Sequence, residues 1–442
     1  MPGPHADLTR LRTALTIFFA LDGFIFAGWV VRIPAVKEQT GASPSTLGLA
    51  LLGVSAGAVV TMILTGRLCR RFGNHQVTVV CAVLLSLSVA LPPLTHSALA
   101  LGAVLLVFGA AYGGINVAFN SAAVDLVAAL RRPIMPTFHA AFSLGGMLGA
   151  GLGALVAGSL SPTHHLLGLT LVGLLVTALA GPTLLRHRPP AASDDAVRQP
   201  QPSDDGERRP LSSDDAVRRP LSSGDDVRRP VPSGDDVRRP LPSGDGERAT
   251  GPEASPRPAA HTRTRALVIV FGLIALCTAY GEGALADWGA LHLEQDLDAS
   301  AGVAAIGYSC FALAMTVGRL SGTVLLERLG RTRTVVAGGA IAAAGMLLGS
   351  LAPALWAALL GFAVAGLGLA NLFPVAVERA GAVAGPSGVA VASTLGYGGM
   401  LLGPPAIGFL ADWFSLSAAL TSVAALAALA ALIGCVTRRV TA

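Results

Sequence analysis

Charge is what this chain has least of. Only 13% of its 442 residues are Asp, Glu, Lys or Arg, against about a quarter in soluble domains, so a soluble fold has too little polar surface to dissolve it. The five cysteines include no C-x-x-C pair: Cys81, Cys277, Cys310 and Cys435 fall within or at the ends of apolar runs and Cys69 in a short loop. That distribution points to neither a disulfide framework nor a zinc site. No G-x-x-x-x-G-K-[ST] loop is present, which argues against ATP-driven work by this chain alone. Paired His and Asp at metal-ligand spacing and an activated Ser are likewise missing from any one predicted face, which argues against a membrane enzyme. Neither cofactor nor metal is expected. The first apolar run follows a short polar lead, is too long for a signal-peptide core and ends without a clear small-residue cleavage site, so the first span is expected to stay attached.

What the chain does have is apolar length. From Leu11 to Leu185, and again from Ala266 to Val436, it is a nearly unbroken series of hydrophobic runs, and about 20 such residues in a helix cross a hydrocarbon core of about 30 Å. The runs predict twelve spans, near residues 11–33, 46–66, 76–95, 98–122, 135–160 and 164–185, then 266–289, 301–323, 334–352, 354–377, 388–411 and 413–436. The expected fold is an all-α integral membrane protein of two six-helix bundles, residues 1–185 and 266–442, joined by the segment 186–265. Its natural surroundings are a lipid bilayer, and the expectation is a monomer.

The few charges orient the spans. Arg10 and Arg12 before span 1, Arg67, Arg70 and Arg71 after span 2, Arg131 and Arg132 after span 4, Arg328, Arg331 and Arg333 after span 8, and Arg438 and Arg439 at the end all fall on one side. The other side holds Lys37 beside Glu38, and Glu294, Asp296 and Asp298. The positive-inside rule then predicts cytoplasmic termini and a cytoplasmic central segment, in a cell membrane of bacterial inner-membrane type. The net charge of +5 resides largely in these loops, so nucleic acid is not an expected partner.

Within the central segment a decapeptide recurs as SDDGERRPLS, SSDDAVRRPLS, SGDDVRRPVP and SGDDVRRPLP. Each unit offers a single aliphatic residue or so, too little apolar surface to offset the entropy of ordering it, and its proline blocks regular helix or strand. A disordered linker is predicted, and deletion of residues 193–250 is expected to leave folding and flux intact. A second, weaker repeat relates the two blocks. DGFIFAGW (Asp22–Trp29) matches GEGALADW (Gly281–Trp288), and a basic turn ending in glycine follows at nearly equal spacing, GRLCRRFG (Gly66–Gly73) and GTVLLERLG (Gly322–Gly330). Parallel repetition of six-helix halves implies a pseudo-twofold axis along the membrane normal.

At these residues the chain resembles the major facilitator superfamily, whose signature is a Gly-x-x-x-Asp-Arg-x-Gly-Arg turn between helices 2 and 3, echoed between helices 8 and 9. The first copy here departs from it, with Arg70 for Asp and Asn74 for Arg beside Arg71 and Gly73; the second keeps Glu327, Arg328, Gly330 and Arg331. Trp29, Arg32-Ile33-Pro34, Lys37, Asn116, Asn120, His139, Ser143-Leu144-Gly145-Gly146, Glu282, Ala286-Asp287-Trp288, Gly396-Tyr397-Gly398 and Gly403-Pro404-Pro405 are similar to a branch of uncharacterised substrate, the YbjJ-like permeases. The resemblance covers both blocks and not the linker. It implies a secondary transporter working by alternating access, with the signature turns acting as a cytoplasmic gate. Arg70 cannot fill the acid's role there, which moves that role to Glu327 with Arg328.

Polar residues inside the spans mark the expected transport route. Asp22 lies ~15 Å along a helix starting near Arg12, and an ionisable group at that depth needs a wet cavity or a partner. Glu282 occupies nearly the equivalent place in the second half. Both are candidates for proton coupling, with His139 and Asp125 as a possible relay, whereas Asp287 reads as a solvated end residue. Asn116 and Asn120, four apart and so on one helix face, with Asn371, Tyr280 and Tyr397, are candidates for the substrate cavity; interhelical bonding is the competing role for the asparagines. Gly145, Gly149 and Gly153 in span 5, and Gly399, Gly403, Pro404 and Pro405 in span 11, read as inter-bundle seams, with the proline pair producing a bend. The expected activity is carriage of a small polar solute such as a sugar, amino acid or organic acid, coupled to protons. Multidrug efflux and a non-transporting receptor or scaffold are the alternatives; the absence of proline from the heart of span 5 lowers the first, and retention of Asp22, Glu282 and the span-4 amides argues against the second.

Overall fold

The computed structural model describes residues 4–130, 134–186 and 258–441. The decapeptide segment and the orienting pair Arg131 and Arg132 lie outside them, as do the side chains of Arg438 and Arg439. The described residues are helical nearly throughout. In the first half these are α1 (Pro4–Val30), α2 (Ile33–Thr40), α3 (Pro44–Phe72), α4 (Asn74–Ser88), α5 (Ala98–Leu130), α6 (Met135–Val156) and α7 (Pro162–Arg186). In the second they are α8 (Pro258–Gln295), α9 (Ala301–Leu320), α10 (Gly322–Leu329), α11 (Arg331–Leu351), α12 (Leu355–Leu369), α13 (Leu372–Trp413) and α14 (Leu416–Thr441). Backbone groups in hydrocarbon must be satisfied within the segment, which is why apolar runs of this length become helices.

Eleven helices among the described residues are long and apolar enough to cross a membrane. The predicted eleventh span, rich in Gly, Ser and Pro, is not among them; it is the second part of α13. Two breaks depart from the predicted spans, and a third falls in the predicted connection between spans 10 and 11. Span 10 is interrupted at Ala370 and Asn371, so that α12 ends and α13 begins inside it. Span 8 ends at Leu320 and restarts after Ser321 as α10. Within α13 the helix bends at Ala384 and Gly385, where Gly385 has φ +59°.

The bend expected at Pro404-Pro405 is absent; α13 runs through the pair. Proline's fixed φ is helical, and its cost is the lost N–H. The carbonyl released by Pro404 is that of Met400, four residues back, and Ser55 Oγ of α3 donates to it at 3.3 Å. A contact between the halves thus replaces the missing rung of the ladder.

The two halves repeat one packing plan. In the first, α1 packs on α6 and α7, α3 on α5, and α4 on α5 and α7; in the second, α8 packs on α13 and α14, α9 on α12, and α11 on α12 and α14. The two basic turns are built alike: Gly73 and Gly330 have φ +90° and +76°, a region that L side chains avoid.

Five of the glycines assigned to inter-bundle seams work elsewhere. A β-carbon on Gly145 or Gly149 would overlap the carbonyls of Ala20 or Phe24 in α1, and Gly153 faces Val31. In the second half Gly399 meets the Leu276 carbonyl and Gly403 the Tyr280 ring, both of α8. These glycines close the interior of each bundle, because α1 and α8, at the heart of their halves, can be approached closely only by helices without side chains at the crossing. Gly145→Val is therefore expected to lower stability by about 1–3 kcal/mol through overpacking, or to prevent folding, as read by thermal unfolding of the purified protein.

The seams between halves run elsewhere. α3 lies along α13, where Gly48 faces Pro404 and Pro405, Gly408 faces Pro44, and the Ser45 N–H donates to Asp412 Oδ2 at 3.1 Å. α6 lies along α9, where Gly302 faces Ala154 and a small cluster gathers Ala27, Val31, Ala150 and Ala305. All these contacts fall in the half of the helices remote from Gly73 and Gly330. Towards the basic turns the halves part, and His139, Thr394 and Tyr397 expose their side chains there and near mid-depth.

Candidate transport site

Asp22 sits on α1 with no exposed surface. Asn116 Nδ2, from α5, donates to Asp22 Oδ2 at 3.1 Å, and Asn120 Nδ2 donates to the Asn116 carbonyl at 2.8 Å and to its Oδ1 at 3.4 Å. The two amides, one turn apart, thereby form a chain that ends on the carboxyl. The other carboxyl oxygen, Asp22 Oδ1, is buried without a hydrogen-bond partner among the described residues. One turn before Asn116, the Tyr112 ring stacks on Phe26 at 5.0 Å, and its phenol lies within electrostatic reach of Asp22, Glu282, Tyr308 and Tyr397. Tyr112 therefore connects the polar groups of the two halves. Its spacing from Asn116 was the available sequence signal.

Across from it, Glu282 of α8 is held by Arg319 of α9, whose Nη2 donates to both carboxylate oxygens at 3.2 and 3.1 Å. The two side chains are 34% exposed for Arg319 and 25% for Glu282, intermediate between a sealed pair and a surface one. Glu282 is thus not an isolated acid equivalent to Asp22: a cation is built in beside it. Arg319 was missed by sequence reasoning although a lone arginine inside the predicted eighth span is the same signal that marked Asp22. Tyr308 lies within electrostatic reach of Glu282, Arg319 and Asp287. His139, on α6, exposes its ring beside Phe19, edge-on at 5.7 Å, and within electrostatic reach of Arg319. Tyr397 of α13 is 44% exposed. Asp22, Asn116, Asn120, Glu282 and His139 are thereby brought to one region between the halves.

Other predicted site residues are placed elsewhere. Asp125 does not bond His139; it is exposed at the foot of α5, where Asn74 Nδ2 donates to it at 2.7 Å. Asn371 is buried and donates to the Gly318 carbonyl at 2.8 Å, joining the break in span 10 to the end of α9. Tyr280 is buried and its hydroxyl shares a 2.9 Å bond with Ser422 of α14. Asp287 is no end residue, since α8 continues for two further turns to Gln295. Polar atoms in hydrocarbon recruit whatever partner is nearest, and for Asp125, Asn371 and Tyr280 that partner is structural.

At the basic face the gate residues divide. Gly66 lies in α3, Arg70 and Arg71 are exposed, and Arg71 stacks over Phe72 at 5.3 Å. Glu327 and Arg328 are also exposed, and neither forms an ion pair among the described residues. Arg331 instead donates through Nε and Nη2 to Glu378, which sequence reasoning did not single out. Asn74 with Asp125 and Arg331 with Glu378 are equivalent clasps, 51 and 47 residues apart, tying each basic turn to the foot of a neighbouring helix. Both stay within one half.

The opposite face carries its own polar network. Arg32 donates through Nε to His165 Nδ1 at 2.9 Å, and burial holds its guanidinium below the usual arginine range. Burial also lowers Lys37, against the pull of Asp412 in the other half and of Glu38. Asp296 bonds His292 Nδ1 and accepts from Ser417 Oγ, each at 2.7 Å, joining the end of α8 to α14. The His292 bond, chiefly, lowers the Asp296 carboxyl below its ordinary 3.8. A lowered folded-state value stabilises the fold above 3.8 and is lost as pH falls through the folded value. Asp296→Ala is therefore expected to melt earlier than the native chain at neutral pH, with the two thermal curves converging only at acidities below the ordinary value.

A family model described as Major Facilitator Superfamily matches residues 13–281 and 271–442. An uncharacterised MFS-type transporter of Yersinia pestis is 31% identical over 421 residues, covering 94% of this chain and 92% of that protein. Among solved structures, a bacterial homologue of the human lysosomal transporter Spinster, inward-facing and occupied, superposes with a TM-score of 0.71 at 14% identity, covering 99% and 98% of the two chains. The nucleoside transporter NupG does so at 0.65 and 13%, covering 96% and 98%. At these identities the structures speak for the fold alone, and the family model together with the Yersinia relative speaks for descent. This chain is a multi-pass membrane protein belonging to the Major Facilitator Superfamily, a family of secondary transporters rather than enzymes.

Proposed function

We propose that the protein is a proton-coupled carrier of a small polar solute, working by alternating access in the cell membrane with both termini on the cytoplasmic side. The observation that carries this reading is Asp22: a carboxyl with no exposed surface, one amide donor and one unpartnered oxygen. Burial penalises the charged form of a carboxyl. A carboxyl that is sealed in one arrangement of the halves and wetted in another therefore takes up and releases a proton as access changes. Asn116, Asn120, Tyr397 and His139 supply donors and acceptors beside it for a polar solute. The contacts of α3 with α13 and of α6 with α9 are the surfaces that separate and re-form. The arginines of the signature turns favour a cytoplasmic position for the face towards which the halves part.

The test is reconstitution in proteoliposomes holding a pH-sensitive dye, with sugars, amino acids, organic acids and lipophilic cations offered outside. A solute that moves protons inward only where the protein is present supports the reading. Labelled-solute flux without proton movement makes the protein a uniporter or a carrier of another ion, and absence of all flux returns it to a receptor or scaffold.

A further inference from the structure

We propose that Arg319 is the anion-binding element of the central cavity and that the carried solute is a small organic acid, whose carboxylate takes Arg319 from Glu282. This deepens the transporter reading and rests on it. A guanidinium has five N–H donors in a planar fork. Arg319 uses Nη2 alone, bridged between the two oxygens of Glu282 at 3.1 and 3.2 Å, and Nε and Nη1 donate to no protein acceptor among the described residues. The pair is a third and a quarter exposed, so it is open to a solute. Each edge of the fork pairs Nη2 with Nε or with Nη1, so a carboxylate that takes Nη2 from Glu282 gains an adjacent free donor on either edge and can bind bidentately. Arg32, the buried arginine among the described residues, is committed to His165 and to the Val156 carbonyl.

The exchange sets a stoichiometry. An arriving carboxylate places two anions on one guanidinium, and like charges at that separation do not both persist. Glu282 takes one proton from the open side as the Glu282–Arg319 bonds break and the solute–Arg319 bonds form, so the exchange at this pair brings one proton with the anion, beside the one that Asp22 carries, and the pair's net charge is unchanged. The titratable groups facing the pair are Tyr308 on α9, Tyr112 on α5 and His139 on α6; Asp287 reaches it through Tyr308, and Asp22 and Tyr397 through Tyr112.

The test measures saturable thermal stabilisation of the protein in nanodiscs by lactate, succinate, malate, gluconate and glutamate, beside glucose, glycerol and choline. The expected result is stabilisation by at least one carboxylate. Its apparent affinity should weaken about tenfold per pH unit wherever binding takes up one proton, as one-proton linkage requires. Arg319→Gln should weaken binding by about 100-fold or more, Arg319→Lys should retain part of it, and Glu282→Gln should bind at least as well with the pH dependence gone. Stabilisation only by neutral or cationic solutes, by none of the panel, or by carboxylates equally in Arg319→Gln overturns the assignment. Flux separates the two readings: a neutral solute carried equally by the native chain and Arg319→Gln leaves the transporter standing without the anion site, whereas carboxylate binding without flux leaves the site and removes the transporter.

Discussion

Asp22→Asn is expected to leave solute exchange intact while removing the proton that Asp22 carries. Asparagine matches the carboxyl in shape and keeps an oxygen for the bond from Asn116, made at 3.1 Å in the native chain, so the α1–α5 contact should persist. What it loses is the capacity to hold and release a proton. Solute counterflow across vesicles, which needs no net proton movement, should therefore stay near the native rate. Accumulation driven by an imposed proton gradient should fall by about two orders of magnitude, a scale typical of removing a single proton-transfer group. Asp22→Ala is the less informative change because it strips the bond from Asn116 as well. Proton movement undiminished in Asp22→Asn would give Asp22 a purely structural role and shift coupling to Glu282.

A disulfide across the α3–α13 seam is expected to stop transport altogether and reversibly. Ser45 and Asp412 meet across this seam, the Ser45 N–H donating to Asp412 Oδ2 at 3.1 Å, without the backbone overlap that a side chain at Gly408 would meet. The pair Ser45→Cys and Asp412→Cys, placed in a chain from which Cys69, Cys81, Cys277, Cys310 and Cys435 have been removed, should cross-link on mild oxidation, directly or through a short reducible linker. If these surfaces must part in each cycle, oxidised protein carries solute at the rate of empty vesicles, and reductant restores it. Full transport by the cross-linked protein would mean that the halves do not separate along this seam.

Much of the fold could be read from the chain because bilayer thickness imposes a length, and runs of about 20 apolar residues meet it in only one way. The depth of Asp22 and the shared face of Asn116 and Asn120 were legible for a similar reason: depth is set by counting residues, and a four-residue spacing sets a face. Partner identity was not. Asp125, Asn371 and Tyr280 are polar groups whose neighbours come from distant helices, so the chain alone cannot separate a cavity wall from a helix joint. The glycine steps of α6 and α13 announced a close approach without naming the helix approached, and that helix proved to belong to the same bundle. Pro404 and Pro405 suggest a bend because proline breaks the hydrogen-bond ladder, yet Ser55 of the other half donates to the carbonyl so released and α13 runs through the pair. Arg319 was legible by the rule applied to Asp22 and was passed over.

Alternating access is tested most directly by two distances in one protein, measured by electron spin resonance between paired labels. One pair, at Arg71 and Arg328, spans the basic face; the other, at Glu38 and Ser300, spans the opposite face, and all four positions are exposed. On adding the solute, or on shifting pH through the working range, the first distance is expected to shorten as the second lengthens. Two distances that stay fixed, or that change in the same direction, contradict a carrier whose halves rock about the Asp22 and Glu282 region.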